Sequence, residues 1–184
     1  DVYIKIAKNF PDPKPLMRVF NNFLPPEQLK TLQEGICFND NFPFHLQSKV
    51  AYDKEERAEY WNWYATHIFY DSHRNLGKNS IYYDCLNEFF IKRFKKDFEL
   101  KTLIRIKANM YPYTDSLKEH GSHYDYDYPN IAAIYSLNTC DGFTRFEDGI
   151  KMDSIENRLF LFDGRKGHNS STTTNASVRF NINF

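Results

Sequence analysis

The sequence predicts an α+β domain: helices in the first half, then a sheet folded into a sandwich or barrel with the helices on one outer face. Three observations carry this. Apolar residues recur at helical spacing in three segments before residue 100, the period changes to two after residue 101, and the later extended segments are separated by Gly, Asn and Asp. With 184 residues and no repeat or Gly/Ser-rich linker, the chain reads as one domain. Residues 1–100 form a mainly helical support, and residues 101–184 a strand-rich core that carries the site.

In LPPEQLKTLQEGI, Leu29, Leu32 and Ile36 lie on one helical face, with Pro25 and Pro26 where a first turn tolerates them. In YDKEERAEYWNWYATHIFY, which starts at Tyr52, an apolar stripe of Trp61, Tyr64, Ala65 and Ile68 predicts a second helix. NSIYYDCLNEFFIKRFKKDF predicts a third, N-capped by Ser80, with Leu86, Phe90 and Phe94 on its apolar face. Its basic run KRFKK reads as a solvated face. From residue 101, Ile104, Ile106, Ala108 and Met110 alternate with Arg105, Lys107, Asn109 and Tyr111, as in a strand with one apolar and one polar face. IAAIYSLN, GFTRFEDG, NRLFLFD and SVRFNINF continue the extended pattern. In the last of these Val178, Phe180, Ile182 and Phe184 point one way and Arg179, Asn181 and Asn183 the other. That polar face must be wet or liganded, because an unpaired arginine inside a barrel is severely destabilising.

Composition narrows the function. Lys plus Arg and Asp plus Glu number 24 each, so no overall field favours nucleic acid or an anionic membrane. Cys37, Cys85 and Cys140 show no CxxC pair and read as buried free thiols of a reducing compartment. No stretch reaches eighteen apolar residues, and DVYIKIAKNF lacks a signal pattern, so a soluble intracellular protein is expected.

The segment HGSHYDYDYPN, residues 120–130, crowds two histidines, two aspartates and three tyrosines together. In an extended chain His123 and Asp125, at i and i+2, aim at one point. The third ligand must come from elsewhere, and His168 in GRKGHNSS is the histidine of the later strand region. Two histidines and a carboxylate make the facial triad of non-haem Fe(II) oxygenases, whereas structural zinc takes four closed ligands. Eleven residues on, Arg179 can grip a carboxylate with paired hydrogen bonds, and Asn181 lies beside it. His120, at i−3 from His123, faces away and reads as an outer-shell group; His45, His67 and His73 read as ordinary surface or core histidines. Tyr124, Tyr126 and Tyr128 suit either a substrate entrance or stacking along a strand edge.

YPYTDSLKEHGSHYDYD, AAIYSLN, GFTRFEDG, NRLFLFDGRKGHNSS and VRFNINF resemble the Fe(II)/2-oxoglutarate-dependent dioxygenases, in particular the prolyl-4-hydroxylase-like branch and small phage-encoded members. The resemblance covers most of the chain and is weakest at MRVFNNFLPPEQL. It implies a double-stranded β-helix, or jelly roll, with N-terminal helices packed on one sheet. It implies His123, Asp125 and His168 as iron ligands, Arg179 as partner of the distal 2-oxoglutarate carboxylate, Tyr111 touching that carboxylate, and Asn181 where the family often has Ser or Thr. The cofactors implied are Fe(II), 2-oxoglutarate as co-substrate and O2, with ascorbate as an accessory reductant. The reaction implied is hydroxylation of a C–H bond with release of succinate and CO2, on a peptide, protein or small-molecule substrate; a peptidyl proline leads by analogy. Ser136 stands where some prolyl hydroxylases have a tyrosine, and no further arginine follows Arg179, unlike the nucleobase demethylases of the superfamily. The compartment implied is cytoplasmic, that of the host for a phage-encoded protein. Two other classes fit less of the sequence: a cupin-like metal enzyme without 2-oxoglutarate, and a non-catalytic jelly-roll binding module.

Overall fold

The structure, a computed structural model, describes residues 17–50, 59–74 and 77–184. In chain order the elements are β1 (Met17–Phe20), α1 (Pro26–Leu32) running on into a π-helical turn (Gln33–Cys37), β2 (His45–Gln47), β3 (Tyr64–Asp71) and β4 (Gly77–Lys78). Then follow α2 (Tyr83–Leu86), a second π segment (Asn87–Ile91), α3 (Lys92–Asp97), β5 (Arg105–Pro112), β6 (Ile131–Ser136), β7 (Phe143–Phe146), β8 (Lys151–Asp153), β9 (Leu159–Asp163), β10 (His168–Ser170) and β11 (Val178–Asn183).

Two antiparallel sheets result. The larger has the order β1-β9-β6-β11-β5-β3-β2, with β4 added on β3; the smaller has the order β10-β7-β8. The alternation of side chains along each strand divides the interior. Ile106, Ala108, Ala133, Tyr135, Leu159, Leu161 and Ile182 pack from one face of the large sheet against Phe23, Leu29, Leu32, Ile36, Leu86, Phe90 and Phe94 of the helical layer. From the opposite face Ala132, Ile134, Phe160 and Phe162 meet Phe146 and Met152 of the small sheet. The polar alternates of β5 and β11 also point between the sheets. Arg179 and Asn181 are buried there, so the polar face is enclosed and not merely wet.

The predicted helix over 52–70 is corrected. Its residues 52–58 lie outside the described segments, and Tyr64–Asp71 is a strand whose residues pair with β5, Ala65 opposite Met110 and Asp71 opposite Arg105. The stripe Trp61, Tyr64, Ala65 and Ile68 satisfies helical spacing by coincidence. Threonine, isoleucine and aromatic residues suit a pleated surface, and pairing on both edges decides between the two. The first half is therefore less helical than the sequence suggests. The third predicted helix is present, but its regular part begins at Tyr83 and is interrupted by the π segment. Ser80 does not cap it: its Oγ accepts from Tyr82 N at 3.2 Å and bonds His67 Nε2 at 2.8 Å. Leu86, Phe90 and Phe94 are buried as the spacing predicts. The KRFKK run is solvated, with Lys92 pairing with Glu88 and Arg93 with Asp97. The three cysteines are free; Cys140 is buried and the other two only half-buried. No helix among the described residues is long and apolar enough to cross a membrane.

Phe90 is fully buried and its ring meets those of Phe23, Phe94, Tyr135 and Phe184. Phe90→Ala is expected to cost about 3–5 kcal/mol in urea denaturation, through lost burial plus a cavity between helix and sheet.

Candidate active site

β5 and β11 pair so that Arg179 lies opposite Tyr111 and Asn181 opposite Asn109. This register gathers the polar alternates of both strands on one inward face. Arg179 is only 1% exposed. Its donors reach neutral acceptors alone: Nε to Ser154 Oγ at 3.4 Å, Nη1 to the Ser171 carbonyl at 3.2 Å and Nη2 to Thr144 Oγ1 at 3.2 Å. The guanidinium lies 5.2 Å from the centre of the Tyr111 ring. No carboxylate pairs with it among the described residues, and burial pulls its pKa below the usual arginine value. Burying a cation without a counter-charge is costly, and three neutral acceptors offset only part of that cost. Tyr111 is buried too, which raises its hydroxyl pKa against the pull of Arg179, Ser170 and Asn181. Asn109 Nδ2 donates to Asn181 Oδ1 at 2.7 Å, and Asn109 Oδ1 is buried without a partner.

His123 and His168 are locked together by the backbone. His123 N donates to the His168 carbonyl and His168 N to the His123 carbonyl, both at 2.9 Å, forming an isolated antiparallel bridge. The rings lie 4.7 Å apart between centres. Nδ1 of His168 bonds the Lys166 carbonyl at 3.0 Å, and Nδ1 of His123 bonds the Gly121 carbonyl at 3.4 Å. With Nδ1 as donor in each ring, Nε2 keeps the lone pair a metal requires. Burial, then the neighbouring His168, lowers the His123 pKa, which favours the neutral, ligating form.

Asp125 lines the same narrow cavity as the two histidines, Tyr111 and Asn181. Its Oδ1 accepts from Arg105 Nη2 at 2.7 Å. Burial works to raise its pKa, but Arg105, Lys107 and His168 outweigh it and hold the carboxyl below its ordinary value. Among the described residues no group of three His, Cys, Asp or Glu side chains is arranged to hold a metal ion. The donor set nevertheless fits Fe(II): two imidazoles fixed through Nδ1 and one ionised carboxylate border one cavity. Arg179, lacking a counter-charge, fits the far carboxylate of a keto-diacid.

Of the residues singled out by sequence, His123, Asp125, His168, Tyr111 and Asn181 border the cavity, and Arg179 lies against Tyr111 and Thr144 at its wall. His120 does not; its Nδ1 meets Ser170 Oγ at 2.9 Å and its ring sits between Trp61 and Tyr111. His67 is a satisfied core histidine, bonded to Pro43 O and Ser80 Oγ. Sequence reasoning assigned no role in the site to Arg105, Lys107, Asn109 and Gly142. The first three were signalled by their alternation with the apolar face of β5. Gly142 carried no signal: a methyl group there would lie 2.6 Å from Arg179 Cδ and 2.7 Å from the Thr172 carbonyl. Beside the site, at the end of the large sheet, opens a cleft of about 850 Å³, which shares Asp125, Ile134 and Asn183 with the inner cavity. Tyr126 and Tyr128, stacked at 5.1 Å, line it, and Tyr124 points to solvent.

No family model and no curated protein matches the sequence. Solved structures do match. A 2OG-Fe(II) oxygenase-family oxidoreductase from Burkholderia pseudomallei aligns at TM-score 0.62 and 12% identity, over 92% of this chain and 83% of that one. The chain has the fold of the 2OG-Fe(II) oxygenases. A prolyl-4-hydroxylase from Pseudomonas putida is similar at TM-score 0.60 and 14% identity, over 92% and 91% of the two chains. A prolyl hydroxylase from Trichoplax adhaerens, solved with a peptide fragment of the hypoxia inducible factor oxygen degradation domain, is similar at 0.58 and 20%, over 91% and 81%.

Gly142→Ala is expected to destabilise the protein by about 1–3 kcal/mol in thermal or urea denaturation, because the added methyl must displace Arg179 or the Thr172 carbonyl. Burial pushes the His120 pKa down to about 4 from 6.5. Its contribution to stability is therefore complete above pH 6.5 and is lost as the pH falls toward 4. Stability measured by urea denaturation should fall across that window in the unsubstituted protein and fall less in His120→Phe.

Proposed function

We propose that this chain is an Fe(II)- and 2-oxoglutarate-dependent dioxygenase on a double-stranded β-helix, hydroxylating a C–H bond of a peptidyl proline or another amino-acid residue. The observation that carries the reading is the buried guanidinium of Arg179, facing neutral acceptors on every side, in the same interior as two Nδ1-anchored histidines and a carboxylate. The fold shared with 2OG-Fe(II) oxygenases supports the class of reaction. The arrangement of two stacked sheets with helices against the larger supports the β-helix.

His123, His168 and Asp125 would hold the iron, and Arg179 with Tyr111 would receive the distal carboxylate of 2-oxoglutarate. When bound, these groups supply the oxidising chemistry: 2-oxoglutarate and O2 are converted to succinate and CO2, and one oxygen atom becomes the hydroxyl of the product. The chain's own tasks are positional. The His123–His168 backbone bridge fixes the separation of two ligands before metal arrives, so little ordering remains at binding. Arg105 keeps Asp125 ionised and close. Arg179 offers two parallel donors to a carboxylate in a dry site, where a charge-assisted pair is strongest. The cleft beside Asp125 gives the substrate a route to the iron.

The test is anaerobic addition of Fe(II) with and without 2-oxoglutarate, followed by visible absorption for the weak charge-transfer band of the chelate. The band is expected in the unsubstituted protein and absent in His168→Ala. Arg179→Ala should weaken 2-oxoglutarate binding by about 1.5–3 kcal/mol while changing Fe(II) binding far less. Iron binding untouched by 2-oxoglutarate would instead favour a cupin-like enzyme.

A further inference from the structure

Resting on that reading, we propose that the site selects an anionic substrate, and that Lys107 receives the carboxylate it carries. Lys107 occupies β5 directly opposite Asn183 of β11, and both side chains border the inner cavity together with His123, Asp125 and His168. Its ammonium makes no hydrogen bond and no ion pair among the described residues; it lies 5.4 Å from the Tyr64 ring and feels Asp125 only at longer range. The partner across the strand is equally unsatisfied, since Asn183 Oδ1 is buried without a donor. A half-buried lysine and an orphaned amide at the mouth of a reaction cavity are costly unless a ligand meets them.

The charges in and around the site show what that ligand must be. Arg105 is paired with Asp125, and Asp71, across from Arg105 on β3, with Arg74. The two cations left are Arg179 and Lys107. Fe(II) and a 2-oxoglutarate dianion cancel in charge, and Asp125 offsets Arg105, so the positive charges of Arg179 and Lys107 both remain in excess. The distal carboxylate would meet Arg179, which leaves Lys107 as the cation without an anionic contact. A carboxylate on the substrate supplies the missing negative charge, and an N–H or O–H next to it can donate to Asn183 Oδ1, as an acidic amino-acid unit would. The large cleft reaches Asn183, which lines it as well. The carboxylate can belong to a free acid or to an acidic residue within a peptide; the chemistry is the same and the experiment separates the sources.

The test uses matched pairs: free aspartate and glutamate against asparagine and glutamine, and the same four residues at the centre of short capped peptides. Binding is measured by isothermal titration to protein carrying Zn(II) and the inert analogue N-oxalylglycine, and succinate release is measured with the Fe(II) protein. At least one acid is expected to be preferred over its amide by about tenfold or more in the unsubstituted protein. Lys107→Met should bring that ratio close to one, and Lys107→Arg should restore most of it. Preference among the free acids alone, or among the peptides alone, identifies the source. Equal binding of acids and amides, no binding of any acid, or a preference that survives Lys107→Met overturns the proposal, while leaving the charge-transfer band of the unsubstituted protein as separate evidence for the cofactors. Absence of that band removes the underlying reading and the proposal with it.

Discussion

A guanidinium sealed between two sheets without a counter-ion is the constraint on which the rest of this molecule depends. Burying an unpaired arginine costs several kcal/mol, and neutral acceptors at 3.2 to 3.4 Å recover only part of that. Much around Arg179 follows from the need to accommodate it. β11 must pair with β5 in the register that stacks it beside Tyr111, the strand bearing Thr144 must close over it, and position 142 must lack a side chain. The same register brings Asn109 against Asn181, so the inner faces of β5 and β11 form a polar lining in a domain otherwise cored by leucine, isoleucine and phenylalanine.

The metal-ligand candidates are held in two different ways. The histidines are fixed by main chain, through the reciprocal bridge between residues 123 and 168 and the carbonyls that take each Nδ1. Asp125 is held by a charge, that of Arg105. The imidazoles are therefore pre-placed. The carboxylate rests on a partner whose positive charge holds it ionised.

Much of this was legible in the sequence, and the failures have physical causes. The period-two pattern in residues 104–111 and 178–184 located β5 and β11, and with them the polar face on which Tyr111, Arg179 and Asn181 sit. Helical spacing found the faces of α1 and of the α2–α3 region, because Leu29, Leu32, Leu86, Phe90 and Phe94 bury on a helix in the ordinary way. It failed at Tyr64–Asp71, where Tyr64, Ala65 and Ile68 happen to fall at helical spacing and only pairing with β5 and β2 decides. β10 escaped notice as a strand because it is three residues long, although His168 within it was identified. Lys107 was read simply as the polar alternate of a strand, since whether such a residue meets water or a reaction cavity depends on which sheet covers it. Gly142 was invisible, because its role is the absence of a methyl group beside an arginine thirty-seven residues away, which only the packed structure reveals.

The most direct measurement of the central claim is a crystal structure determined anaerobically with Fe(II) and 2-oxoglutarate. The distal carboxylate is expected within hydrogen-bond distance of the Arg179 guanidinium, with His123 Nε2, His168 Nε2 and an Asp125 oxygen on one iron atom. An Arg179 that still faces only Thr144, Ser154 and Ser171, with the keto-diacid bound elsewhere, would contradict it.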